Sequence, residues 1–72
     1  MRILKNYYIA NINSLGFTGE FDTLDRPRFS EFDRNTTMFF NSEDLALNYI
    51  EGHEQFAGET VFIDSFYVVI ND

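Results

Sequence analysis

Apolar positions along this chain fall into two long alternating runs and one short run at helical spacing. The longest run is Thr60–Ile70, TVFIDSFYVVI, rich in β-branched and aromatic residues, which predicts a strand. Alternation puts Phe62, Asp64, Phe66, Val68 and Ile70 on one face and Val61, Ile63, Ser65, Tyr67 and Val69 on the other. Both faces are mostly apolar, unlike a strand with one wet side. Residues 3–12, ILKNYYIANI, predict a first strand of the same two-sided kind, though Lys5, Asn6 and Asn11 interrupt it. Between these two runs, Asn13, Ser14, Gly16 and Gly19 mark a turn or a bulged loop. Residues 20–25, EFDTLD, read as a short second strand closed by Arg26-Pro27-Arg28. The stretch FSEFDRN fits a single helical turn or an irregular loop pinned by Phe29 and Phe32, and TTMFF at 36–40 reads as a short strand.

The helical spacing lies between Glu43 and Glu51. Ser42 is a good N-cap, Glu43 and Asp44 suit the positive end of the helix dipole, and Gly52 stops it. Leu45, Ala46, Tyr49 and Ile50 form the expected inner stripe, with Leu47 on the flank. His53–Glu59 reads as a loop in which Phe56 is an anchor. The whole pattern predicts one α+β domain over residues 1–72, a small, mostly antiparallel sheet of three to four strands with one short helix on one face. One such helix cannot shelter both faces of a sheet carrying this many rings, so a second chain is the simplest expected cover. A lone molecule with the rings of both strand faces already inside it would remove that expectation.

Size and charge sharpen the picture. Seventy-two residues lie near the lower limit for a self-sufficient core, so most of the nine Phe and four Tyr must be buried in the fold or at an interface. The absence of cysteine rules out disulfides and thiolate metal sites and suits a reducing cytoplasm. Arg2, Lys5 and Asn6 break up the apolar start in a way a signal peptide does not. The net charge of −7 is concentrated in one half. Residues 1–34 balance five bases against five acids, while residues 35–72 hold seven acids and no Lys or Arg. Such a half repels nucleic acid and favours basic protein surfaces, though acidity also serves solubility alone.

Candidate chemistry is sparse. His53, among Glu51, Glu54 and Glu59, lacks the second histidine of a zinc-protease helix, because Ala57 stands four residues on. The pairs Asp22/Asp25, Glu31/Asp33 and Glu43/Asp44 offer no evident cleft for acid–base hydrolysis. Asp64 interrupts an apolar face and marks a bulge, an edge or a buried pair with Arg26 or Arg28. Arg26, Arg28 and Arg34, with Phe29 and Phe32 interleaved, have a pattern seen in single-strand binders, but Glu31 and Asp33 lie inside it. No enzyme activity, metal or cofactor is expected.

The segment TMFFNSEDLALNYIEG, an aromatic strand running into an acid-led, Asn-Ser-capped helix, resembles segments of small acidic phage-encoded accessory and inhibitor proteins. That resemblance implies a stoichiometric inhibitor of host defence or transcription, anti-CRISPR proteins and nucleic-acid mimics among them, working in the host cytoplasm. On this reading Glu43, Asp44, Glu51, Glu54 and Glu59 meet a basic surface on a larger protein. The alternative is a self-assembling accessory protein, a homodimer formed through an aromatic sheet face carrying Val61, Ile63, Tyr67 and Val69. Neither reading calls for direct contact with nucleic acid or membrane.

Overall fold

The computed structural model describes residues 1–71. Strands β1 (Arg2–Asn11), β2 (Gly16–Phe21), β3 (Pro27–Ser30) and β4 (Val61–Ile70) form one antiparallel sheet in the order β3-β2-β1-β4. Helix α1 (Glu43–Gly52) and a 3-10 turn (Glu54–Phe56) connect the sheet's body to β4. The fold is thus a small α+β arrangement of four antiparallel strands and one helix.

Two five-residue turns with the same chemistry set the meander. Asn11 Oδ1 accepts from the N–H groups of Asn13 and Leu15, and Asp22 Oδ1 accepts from those of Leu24 and Arg26. In each turn the fourth residue is left-handed, Ser14 at φ 63° and Asp25 at φ 61°. In each the first residue's N–H also reaches the fifth residue's carbonyl, at 3.0 Å and 2.9 Å. A side-chain carbonyl or carboxylate two and four residues ahead of orphan amides is what closes such loops. The expected strand at 20–25 is therefore only partly a strand: β2 ends at Phe21 and residues 22–26 are the second turn. Gly16 and Gly19, expected in a loop, lie within β2, where Gly19 (φ 87°) accommodates the register shift against β3. The stretch expected to be a helical turn or loop begins as β3, since proline is tolerated as the first residue of a strand.

The strand expected at 36–40 is reduced to a single ladder pair. Phe40 exchanges both backbone hydrogen bonds with Tyr7, at 2.9 and 2.8 Å, while the Met38 N–H donates to Phe17 O at 2.9 Å. This segment wedges itself where β2 leaves β1 after the Ala10–Gly16 pair. Gly16 lets it come close: a Cβ there would meet Thr37 Cγ2 at 3.0 Å.

One face of the β1–β4 pair carries the core. Ile9, Phe17, Phe40, Ala46 and Phe56 are buried together, with Tyr7, Tyr49, Val61 and Ile63 packed on them. The opposite face has a cover of its own. Phe32 and Phe39 lie 5.1 and 5.0 Å, centroid to centroid, from Phe66, and Tyr8 completes the cluster at 4.9 Å from Phe32. Arg34 stands over the Phe66 ring at 5.7 Å. The expectation that a single helix leaves one face bare is corrected accordingly, because residues 31–40 serve as a second lid. On that face Phe62 stays 47% exposed, and a longer bare stretch lies at one end of the sheet. β1 and β4 pair without a break from Arg2–Ile70 to Asn11–Val61, but β2 and the wedge reach β1 only at Ala10 and Tyr7. Arg2–Lys5 with Tyr67–Ile70 thus forms a two-stranded arm of a molecule measuring 43 × 22 × 18 Å.

Candidate protein-binding surfaces

Helix α1 is anchored at both ends, which fixes where its acids point. The Leu45 N–H donates to Ser42 Oγ at 3.2 Å, as a capping serine requires. Glu43 and Asp44 occupy the first turn, at the positive end of the helix dipole. At the other end His53 lies 2.8 Å through Nδ1 from the Tyr49 carbonyl; a carbonyl only accepts, so this nitrogen carries the proton. The imidazole is also sandwiched, stacking on Tyr49 at 3.9 Å and on Phe21 at 6.0 Å. His53 closes the helix and packs it to β2. Gly52 belongs to the last turn of α1 and His53 is the C-cap.

Ala46, Tyr49 and Ile50 point inward, leaving Asp44, Leu47 and Glu51 in line on the outer surface at helical spacing. Leu45, expected on the inner stripe, is 50% exposed, and Leu47 is 42% exposed. The register explains this: Leu45 lies about 100° from Ala46, past the rim of the contact with the sheet. Glu54 and Glu59, in the 3-10 turn and just after it, are exposed too. Among the described residues, Glu43, Asp44, Glu51, Glu54 and Glu59 have no ion-pair partner. Asp44 and Glu51 stand about 10 Å apart along the helix, roughly one Debye length at 0.1 M salt, so their fields overlap. The outer side of α1 is therefore an acidic surface with two leucines set into it.

The residues expected for self-association are divided by the fold. Val61 and Ile63 are partly buried against the core cluster, whereas Tyr67 (64% exposed) and Val69 stand open on the arm. All four share the helix-side face of β4. Lys5, opposite Tyr67, lies over the rings of Tyr7 and Tyr67 at 5.4 and 5.7 Å. Ile3, paired with Val69, is exposed beside them, and Leu4 is exposed on the opposite face of the arm.

Of the readings open for Asp64, the structure selects the edge. β4 has β1 on one side only, and its register with β1 contains no bulge. Asp64 accepts from the Tyr8 hydroxyl at 3.2 Å and from the Ser65 N–H at 2.8 Å. Burial, then the charge of Asp64 and this hydrogen bond, push the Tyr8 hydroxyl above its usual range. Arg26 pairs instead with Asp22, Nε to Oδ2 at 3.2 Å. Backbone and side-chain donors from Arg26, together with the Leu24 N–H, hold the Asp22 carboxyl below its ordinary value, opposite to what a general acid needs. Arg34 is taken up by Phe66, and Arg28 lies on β3.

The concavities are open. One depression of about 440 Å³, lined by Thr18, Glu20, Arg28, Phe29, Ser30, Asn35 and Thr36, holds a single carboxylate. Among the described residues no group of three His, Asp or Glu side chains is placed to hold a metal, and no helix is long and apolar enough to cross a membrane. Sequence reasoning missed the exposure of Leu45 and the placement of Lys5 on the open arm. The signal for Leu45 was its position one step outside the Ala46-Tyr49-Ile50 triplet. No family model matches the chain, nor does any curated protein or solved structure.

Proposed function

We propose that this chain is a non-enzymatic protein-binding module, a stoichiometric inhibitor that engages a basic surface of a larger protein in the cytoplasm. The observation that carries this reading is the outer side of α1 and the turn after it: five exposed carboxylates with no ion-pair partner among the described residues, interspersed with Leu45 and Leu47. Unpaired carboxylates speed encounter with a cationic partner, while exposed leucines provide apolar area that becomes dry on contact. The phage anti-defence or host-takeover setting, including the anti-CRISPR and nucleic-acid-mimic modes, suits that chemistry, because proteins that hold nucleic acid offer such basic grooves. Open depressions and a carboxyl held low rather than high favour binding over catalysis.

Capture from host lysate at low and at high salt tests the proposal, alongside a variant with Glu43, Glu51, Glu54 and Glu59 changed to Gln and Asp44 to Asn. Specific partners retained at low salt, released at high salt and lost with the variant support it. An unchanged set of partners on the neutralised variant, or none under either condition, refutes it. A second reading, self-assembly, is favoured by the exposure of Tyr67 and Val69 on the arm.

A further inference from the structure

The depression lined by β2, β3 and the segment after β3 owes its shape to one irregularity in the sheet. Phe17 pairs with Phe29 and Phe21 with Pro27, so Thr18, Gly19 and Glu20 on β2 share the single residue Arg28 on β3. Gly19, at φ 87°, takes up the excess length. Counted from the first pair Arg28 falls opposite Thr18, and counted from the second it falls opposite Glu20. Opposite charges placed so on neighbouring strands ordinarily pair, but a bulge re-aims the side chains around it. No ion pair joins Glu20 to Arg28.

Thr18 fixes the floor between them. Its hydroxyl donates to the Arg28 carbonyl at 3.1 Å and accepts from the Glu20 N–H at 3.3 Å, tying together the backbones of the two charged residues. Asn35 and Thr36 complete the lining, and Asp33 holds them in place. Its carboxylate accepts from the Asn35 N–H at 2.7 Å and its carbonyl from the Thr36 N–H at 3.2 Å. The space is about 440 Å³, in the range of small-ligand sites. Among the described residues the side chains of Glu20, Arg28, Asn35 and Thr36 make no hydrogen bond or ion pair. Single polar side chains left to water are ordinary on a surface. Four that line one concavity over a pinned backbone are a set of unspent contacts in one place.

We propose that this depression binds a small zwitterion, an α-amino acid, with its carboxylate on the Arg28 guanidinium and its ammonium on the Glu20 carboxylate. The two charges select that class. A simple anion drawn to Arg28 meets Glu20 in the same depression, and a simple cation drawn to Glu20 meets Arg28. A molecule carrying both charges satisfies both residues, and a guanidinium offers a carboxylate two parallel hydrogen bonds. The rest of the lining is hydroxyls and an amide beside Phe29, so a ligand side chain that hydrogen-bonds suits it, which makes L-glutamine the probe. Glu20 and Arg28 are exposed, so binding is weak and falls with salt. None of the lining residues belongs to α1 or the turn after it, and the inference goes beyond the protein-binding reading without resting on it.

Two-dimensional NMR of the isotope-labelled chain, titrated with L-glutamine at constant ionic strength and neutral pH, tests this. The amides of Thr18, Glu20, Arg28 and Asn35 should shift and saturate with a Kd in the millimolar range. Acetate and methylammonium, each carrying one of the two charges, should bind about tenfold more weakly. Arg28→Gln and Glu20→Gln, both at exposed positions, should leave the circular dichroism unchanged and each raise the Kd for L-glutamine about tenfold. The comparison of the three ligands on the unaltered chain decides the matter even where a variant does not fold. Acetate or methylammonium matching L-glutamine overturns the inference, as does an unchanged Kd in both variants. So does the lack of a saturable shift at these amides up to about 100 mM. Each of these results leaves the α1 surface and its capture test untouched.

Discussion

Phe66→Ala tests whether residues 31–40 close the second face of the sheet. The Phe66 ring is half-buried, with Phe32 and Phe39 about the same distance away, Tyr8 at 6.2 Å and the Arg34 guanidinium at 5.7 Å. Truncating a fully buried Phe costs about 3–5 kcal/mol; partial burial reduces that, and the lost ring pairs restore some of it, giving about 2–3 kcal/mol. In a domain of this size the melting temperature should fall by about 10–20 °C. The chain has no tryptophan, so unfolding in urea is best followed by circular dichroism. Phe62→Ala is the internal control. It removes the same ring from the same strand and face, but Phe62 is 47% exposed and has no ring neighbour among the described residues, so its cost should stay below about 1 kcal/mol. Equal losses from the two variants, or less than about 1 kcal/mol from Phe66→Ala, would refute the lid.

Further outcomes follow from single residues. Ser14→Gly relieves a left-handed residue in the first turn (φ 63°) and should stabilise by about 0.5–1 kcal/mol in the same urea assay. Gly16→Ala forces a Cβ to within 3.0 Å of Thr37 and should destabilise by about 1–3 kcal/mol, loosening the wedge. His53→Ala removes the cap on Tyr49 O and the stack between Phe21 and Tyr49, and should cost about 1–2 kcal/mol. Asp22 and Tyr8 give the pH profile opposite signs. The Asp22 carboxyl is held low, so its contribution is complete above 3.8 and is lost as the pH falls below that value, and Asp22→Asn should flatten this acid limb. The Tyr8 hydroxyl is held high, so its contribution is complete below 10.0 and is lost as the pH climbs past that value toward the folded-state pKa; Tyr8→Phe should flatten that alkaline limb.

The elements legible in the sequence were those whose own residues decide them. Ser42, Glu43 and Asp44 start α1 by local capping, and the runs 3–12 and 60–70 make strands by alternation wherever they pack. TTMFF carries the same β-forming composition, yet what it becomes depends on the gap left where β2 departs from β1, so only Phe40 joins the ladder. Pro27 concealed β3, because a proline argues against a strand interior but not against its first position. Phe32 and Phe39 were visible as rings, but their role as a lid is set by the turn around Asp33, whose carboxylate accepts from the Asn35 N–H at 2.7 Å. For the binding surfaces, the acidity of the second half was legible from composition. The open arm was not, because alternation reports that both faces are apolar without saying how far neighbouring strands run.

The account's central claim is that residues 31–40 cover the Tyr8–Phe66 part of the sheet's second face, so that protection along β4 falls off beyond Phe66, where the arm begins. Amide hydrogen exchange along β4, measured in dilute monomer, tests it most directly. The inward amides of Phe62, Asp64 and Phe66 should be strongly protected, and those of Val68 and Ile70 should exchange much faster although they pair with the same strand. Even protection from Phe62 to Ile70, or rapid exchange at Phe66, would contradict it.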